Sequence, residues 1–287
     1  LYPIIDATTV KRTRQFIKKH YAGDTITGPD GTPQPIVFPQ PNAMTVRYNL
    51  DEALPGFFDN IEEALDPNSA SQIKFARYAI EDYLRPGIAR STRTNTNSVT
   101  GLLRSGLLKR FESSMFAFKK TIQKMTLQHE LFLEGLERGH VVNTAFMQEI
   151  SGDDDGLFEE LFEAAPRETH DEAKHYDVEA LRTDVEHDRS ILQALGDEVS
   201  KVSQDASPKL KALSDTLVEI ATQATEEAIH AEEEAQKRKV VIFSFFEDTV
   251  EWIYEFLKSE IARRPELAPY QGRLAAVSGS GRFSEES

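Results

Sequence analysis

Nineteen residues constrain the fold most: Lys239-Val-Val-Ile-Phe-Ser-Phe-Phe-Glu-Asp-Thr-Val-Glu-Trp-Ile-Tyr-Glu-Phe-Leu257. The apolar run Val240–Phe243 shows no polar alternation, so it reads as a strand buried on both faces. Ser244 and a short acidic turn follow, and Val250, Ile253, Phe256 and Leu257 then share one face of a helix. A strand delivering its carboxyl end into a helix is the unit of a parallel α/β sheet. The helix is closed by Pro265 and Pro269, and Arg273-Leu-Ala-Ala-Val277 reads as the next strand, ended by Ser278-Gly-Ser-Gly281. A parallel sheet begins without being completed, so the chain is expected to be a piece of a larger, two-lobed protein.

Before that unit the pattern is helical. Phe111, Met115, Phe118, Ile122, Met125, His129, Phe132 and Leu136 step by alternating fours and threes, a heptad stripe. One helix from about Leu102 to Arg138 is expected, roughly 55 Å long at 1.5 Å per residue. A second stripe runs Leu210, Leu213, Leu217, Ile220, Ala224, Ala228, Ala231, Ala235, with Pro208 suited to a first turn. The two stripes predict a long antiparallel helical hairpin. Earlier residues read as a short helix over 1–22, a hairpin of Ile36–Phe38 with Met44–Tyr48, and helices over 51–84 broken at Pro67. Ser91–Thr100 reads as a polar loop. The fold class expected is mainly α with a small α/β part.

The net charge of −15 argues at first against a nucleic-acid partner, but its distribution reverses that. Residues 149–200 hold 17 acidic and 4 basic residues, whereas residues 1–148 are net +3. Within this acidic segment, Phe158, Leu161 and Phe162 predict one short amphipathic helix. There is no cysteine, which excludes disulfides and thiolate metal sites and favours a cytoplasmic setting. No apolar run approaches the roughly 20 residues that span a bilayer, and no basic-then-apolar leader follows Leu1. No membrane partner is expected.

Three constellations bear on chemistry. Ser244 and the Ser278–Gly281 turn sit at the carboxyl ends of expected strands, where α/β sheets bind ligands. Hydroxyls and glycine N–H groups there suit a phosphate oxygen; an ordinary βαβ unit without ligand is the competing reading. A basic stretch, Arg85, Arg90, Arg93, Arg104, Lys109, Arg110, Lys119, Lys120 and Lys124, contains one acid, Glu112. It suits sequence-independent phosphate contacts, or else a solvated face that pairs with the acidic segment. Glu172-x-x-His175 and Glu227-x-x-His230 match half of a di-iron motif, but the further inward glutamates are missing, so both read as surface residues. His129, on the apolar stripe, reads as a core or register-setting polar residue. No nucleophile pair can be argued.

Lys239–Ile253 together with Arg273–Ser280 resembles the opening of the second RecA-like lobe of Swi/Snf-like superfamily 2 helicases, where this strand and serine form motif IV. The following strand ends in Asp-Gly-Ser in that family; here Ser278 stands in place of the Asp. Val10-Lys-Arg-Thr-Arg14 resembles the Arg-Arg-Thr-Lys element closing the first lobe, with Lys11 for its first arginine. Gly101–Ser114 resembles a stretch of bacterial members with a helical insertion between lobes. The resemblance implies three parts: 1–50, the exit of the first lobe and a β connector; 51–236, a helical insertion; 237–287, the start of a RecA-like parallel sheet. It implies ATP-driven movement on duplex DNA, with nucleic-acid contacts from Lys11, Arg12, Arg14, Arg104, Lys109, Arg110, Ser244, Gly279 and Ser280. ATP and Mg would be bound by the parent protein. The Walker A lysine, the Asp-Glu-x-His box and the late arginine motif are absent from these residues, so none is expected here and no ATP hydrolysis by this stretch alone. The alternative is a non-catalytic helical scaffold whose hairpin or acidic segment binds another protein.

Overall fold

The computed structural model describes residues 14–21, 23–28, 31–38, 40–88, 96–142, 170–279 and 281–284. The chain divides into two units, Leu1–Val46 and Arg47–Ser287. In the first, helix α1 (Arg14–His20) ends in Lys18, Lys19 and His20, which complement the negative end of its dipole. A hairpin follows, β1 (Thr25–Thr27) paired antiparallel with β2 (Pro33–Pro35). Gly31, at φ 79°, supplies the left-handed residue of its turn, and its N–H reaches the Gly28 carbonyl at 2.9 Å. The strands thus lie directly before Gly28 and after Gly31, whereas Ile36–Phe38 and Met44–Tyr48, the expected pair, form no strand. Turn chemistry outweighed β-propensity here.

The second unit is a helical bundle, and the protein is mainly helical. Its helices are α2 (Phe57–Leu65), α3 (Thr96–Ser113), α4 (Met115–Glu137), α5 (Val178–Val199), α6 (Pro208–Glu227), α7 (Ala231–Lys237) and α8 (Glu247–Arg263). Short antiparallel pairs join β3 (His140–Val142) to β4 (His170–Glu172) and β5 (Ala275–Ser278) to β6 (Gly281–Ser284). Among the described residues every strand pairing is antiparallel. Among the described residues no helix is long and apolar enough to cross a membrane.

The heptad stripe is the spine of the core. Phe118, Ile122, Met125, His129, Phe132 and Leu136 are all buried. The predicted single helix is two, however. Ser114 is extended (φ −161°, ψ 151°), and its hydroxyl accepts from the Ala117 N–H at 3.0 Å as the N-cap of α4. The partner of α4 also differs from the expected hairpin. It is α5, drawn from the acidic segment, which buries Leu181, Val185, Asp188, Leu192, Leu195 and Val199. Gly196 lets the two helices approach: a Cβ there would lie 3.1 Å from Ile122 Cγ2. A stripe at i, i+4, i+7 is sufficient for burial even where most other positions are charged.

The second stripe is also interrupted. Helix α6 ends at Glu227, and α7 restarts behind His230, whose Nδ1 accepts from the Glu233 N–H while Glu233 accepts from the Ile229 N–H. Instead of lining α4, α6 packs Leu210 and Leu217 against Trp252, Phe256, Leu257 and Ile261 of α8.

The largest departure is the run expected to be a doubly buried strand. Val240–Phe243 carries no strand pairing in the structure, and its side chains are exposed, from 38% at Val240 and 40% at Ile242 to 74% at Val241 and 90% at Phe243. The helix it was expected to enter is present as α8, and Ala275–Ser278 is a strand, but one folded back on β6 rather than laid parallel to 240–243. Segments 143–169 and 89–95, with Phe158, Leu161, Phe162, Arg90 and Arg93, lie outside the described residues.

Candidate nucleic-acid interface

Of the nine residues expected to contact nucleic acid, Lys11, Arg12 and Ser280 lie outside the described residues. Arg14 is exposed on α1, its guanidinium 5.9 Å from the centre of the Phe38 ring; Lys18 sits at the same distance. Lys109 is exposed on α3.

Arg104 and Arg110 occupy other roles. Arg104 donates to the Gln72 side chain at 3.0 Å and the Ile73 carbonyl at 3.3 Å, with its guanidinium over Phe75. Arg110 is 1% exposed. It donates to Asp248 at 2.9 Å and stacks 4.3 Å from the Phe246 ring centre. A solvent-facing phosphate contact was expected of both; Arg110 is buried against an internal acceptor, and the half-buried Arg104 is already engaged by Gln72 and Ile73. The heptad offset explains Arg110: it directly precedes stripe residue Phe111, on the side that α8 covers.

Asp248 also accepts from Lys120 at 2.6 Å, so one carboxylate gathers cations from α3 and α4. Beside it, four hydroxyls form a chain. Thr249 Oγ1 lies 2.9 Å from Ser113 Oγ and 2.8 Å from Ser114 Oγ, and Ser113 Oγ lies 3.4 Å from Ser244 Oγ. Ser278 donates to Glu247 at 2.6 Å, and Gly279 is exposed beside it. The first turn of α8 thus has Ser244 on the Ser113 side and Ser278 on Glu247, but Ser244 ends no strand, so the strand-end geometry expected of the two does not form. Glu247 and Asp248 already complement the dipole at that helix N-terminus.

A second polar cluster lies between α4, α5 and residues 72–85. Phe75 holds a left-handed backbone, φ 57°, unusual for an aromatic residue. The N–H groups on either side of it, of Lys74 and Ala76, donate to Asp188 at 2.7 and 2.8 Å. Burial pushes the Asp188 carboxyl up to about 6, against the pull of those two donors. Asp184 accepts from Lys74 at 2.6 Å and Tyr83 at 2.7 Å; burial pushes its carboxyl up, and the two donors outweigh that and hold it low. His129 is fully buried, and burial together with the nearby Arg77 lowers it to about 3. Its Nδ1 lies 2.7 Å from the Met125 carbonyl, an acceptor only, so Nδ1 carries the proton. It is the core polar residue its stripe position predicted. Buried Arg77 donates to Gln128 at 2.8 Å. Sequence reasoning missed Asp188, Arg77 and Asp248; the one available signal was Asp188 falling between core positions Val185 and Leu192.

Among the described residues no group of histidine and carboxylate side chains is arranged to hold a metal ion. No protein-family model matches the chain, and neither does any curated protein or solved structure.

Proposed function

We propose that these residues are the inter-lobe region of an ATP-dependent, Swi/Snf-like DNA translocase: the exit of one lobe, a helical insertion, and the start of a second RecA-like lobe. The observation that carries this reading is the segment 240–245. It is apolar, exposed along Val240–Phe243, without a strand pairing, and leads directly into α8. Such an apolar run suits a strand buried on both faces, and on this reading a parallel RecA-like sheet would cover it. The motif IV resemblance falls on these same residues. Ser244, Gly279 and Ser280 are then the nucleic-acid contacts of the second lobe, with Lys109 on the insertion and Lys11, Arg12 and Arg14 at the exit of the first. Duplex DNA is the partner. ATP and Mg are handled by motifs outside this stretch.

A non-catalytic scaffold that binds another protein is the second reading, favoured by one observation: Arg104 and Arg110 are spent inside the fold, which lowers the positive charge the helices can offer a phosphate backbone. Binding to duplex DNA across a salt series separates the two. The translocase reading predicts affinity that falls steeply with salt, by about 0.9 log units per log unit of salt for each phosphate contact, and falls further in Lys109→Glu. Binding that is absent at low salt, or equal in Lys109→Glu, favours the scaffold.

A further inference from the structure

We infer that the helical insertion is fastened to α8 at the break between α3 and α4, so that insertion and α8 move as one body, with Asp248 the positioning residue of the fastening. This rests on the translocase reading for its meaning: the insertion would travel with the second lobe rather than swing freely between the two.

The break at residues 112–114 is where four helices meet, α3 and α4 on its two sides with α6 and α8 against it. From α6, Lys209 donates to the Glu112 carbonyl at 2.9 Å and the Ser113 carbonyl at 2.7 Å, satisfying the open end of α3. From α8, Thr249 shares its hydroxyl with Ser113 and with Ser114, the cap of α4. Asp248 holds Arg110 on the α3 side of the break and Lys120 on the α4 side. A carboxylate that bridges cations on both sides of a helix break fixes the angle between the helices as well as their attachment to its own element. Below this polar layer Phe116 of α4 stacks on Trp252 of α8, 6.2 Å between ring centres and 5° from parallel. Further along α8, Gln204 donates to the Trp252 carbonyl at 2.6 Å, Ser214 to Glu260 at 3.1 Å, and Arg264 to Asp215 at 2.7 Å. Helix α8 is thus tied to the insertion along its whole length, while the apolar run before it is left uncovered. Ser244 touches Ser113, so the end of that run expected to meet nucleic acid is in direct contact with the break.

The sequence has no cysteine, so spin labels at Ser105→Cys and Lys258→Cys, both exposed, report the distance between α3 and α8 without background. The fastening predicts one narrow distance distribution, unchanged by duplex DNA. Asp248→Ala broadens it, and Thr249→Val, which leaves no charge unpaired, broadens it less. Amide exchange then rises by about tenfold or more in residues 115–120 and 247–252 together, while 128–136 of the distant α4–α5 contact stays protected. Should Asp248→Ala fail to fold, Thr249→Val decides. A broad distribution in the parent chain, or loosening on only one side of the break, overturns the inference. A narrow distribution in a chain that binds no DNA leaves the fastening standing and sinks the translocase reading instead.

Discussion

Two carboxylates, one buried and one partly buried, divide the bundle, and they work differently. Asp188, in the α4–α5 half, accepts from main-chain N–H groups on either side of Phe75 and so holds one strained residue in place. Asp248, at the α3–α4 break, accepts from side-chain cations on separate elements. The first arrangement is a staple within a loop and serves the fold. The second joins separate helices through their side chains and holds them at one angle. One carboxylate therefore fixes a loop against α5, and the other fixes α3 and α4 against α8.

Removing Asp248 should have the largest effect. Asp248→Ala takes the Asp248 carboxylate away from the buried Arg110 guanidinium and is expected to lower unfolding free energy by about 3–5 kcal/mol in urea titrations. Adding Arg110→Met to it should recover much of that loss, because an apolar side chain of similar length replaces a buried charge that has lost this carboxylate. If the double variant is no better than the single, the ion pair is not what Asp248 supplies.

Asp188→Ala should cost about 2–4 kcal/mol, since two buried N–H groups lose their acceptor. The pH dependence sharpens the contrast. Asp188 titrates at about 6 when folded, above its ordinary 3.8, so the stability it contributes is present at low pH and is lost as pH rises towards 6. His129 titrates near 3 when folded, below 6.5, so its contribution is present above 6.5 and is lost on acidification. The two slopes oppose one another between about pH 4 and 6. Asp188→Asn should therefore make stability fall on acidification across that window, and His129→Gln should make it rise. Thermal melts from pH 4 to 7 read both, and parallel profiles would refute the assignment.

Ser114→Ala removes the α4 cap and should cost about 1 kcal/mol by the same titration. The smallest change is expected in the exposed run: Phe243→Ser should alter the stability of this chain by less than about 0.5 kcal/mol. A larger loss would mean that the run is packed, against what its exposure implies.

The heptad stripe made α4 and its buried face legible, His129 included, because period-3.6 apolarity survives any choice of partner. Choosing the partner was beyond sequence reading. Counting charge over 149–200 hid the spacing of Leu181, Val185, Leu192 and Val199, which buries α5 whatever its outer face carries. The breaks at Ser114 and at Ala228–His230 were written in capping residues that a stripe steps over. Arg104 and Arg110 looked like surface charge because sequence shows a cation but not the acceptor, which for Arg110 lies 138 residues away. For Val240–Phe243, apolarity alone specified a buried strand; among the described residues nothing pairs with the run, and it is exposed.

The translocase reading is tested most directly by ATP hydrolysis. The measurement uses the polypeptide read through the codons on both sides of these residues, with and without duplex DNA. The account predicts hydrolysis stimulated by duplex DNA and weakened by Ser244→Ala, with this stretch alone inactive. Hydrolysis indifferent to DNA, or flanking sequence without a Gly-Lys-Ser/Thr loop and an Asp-Glu-x-His box, would contradict it.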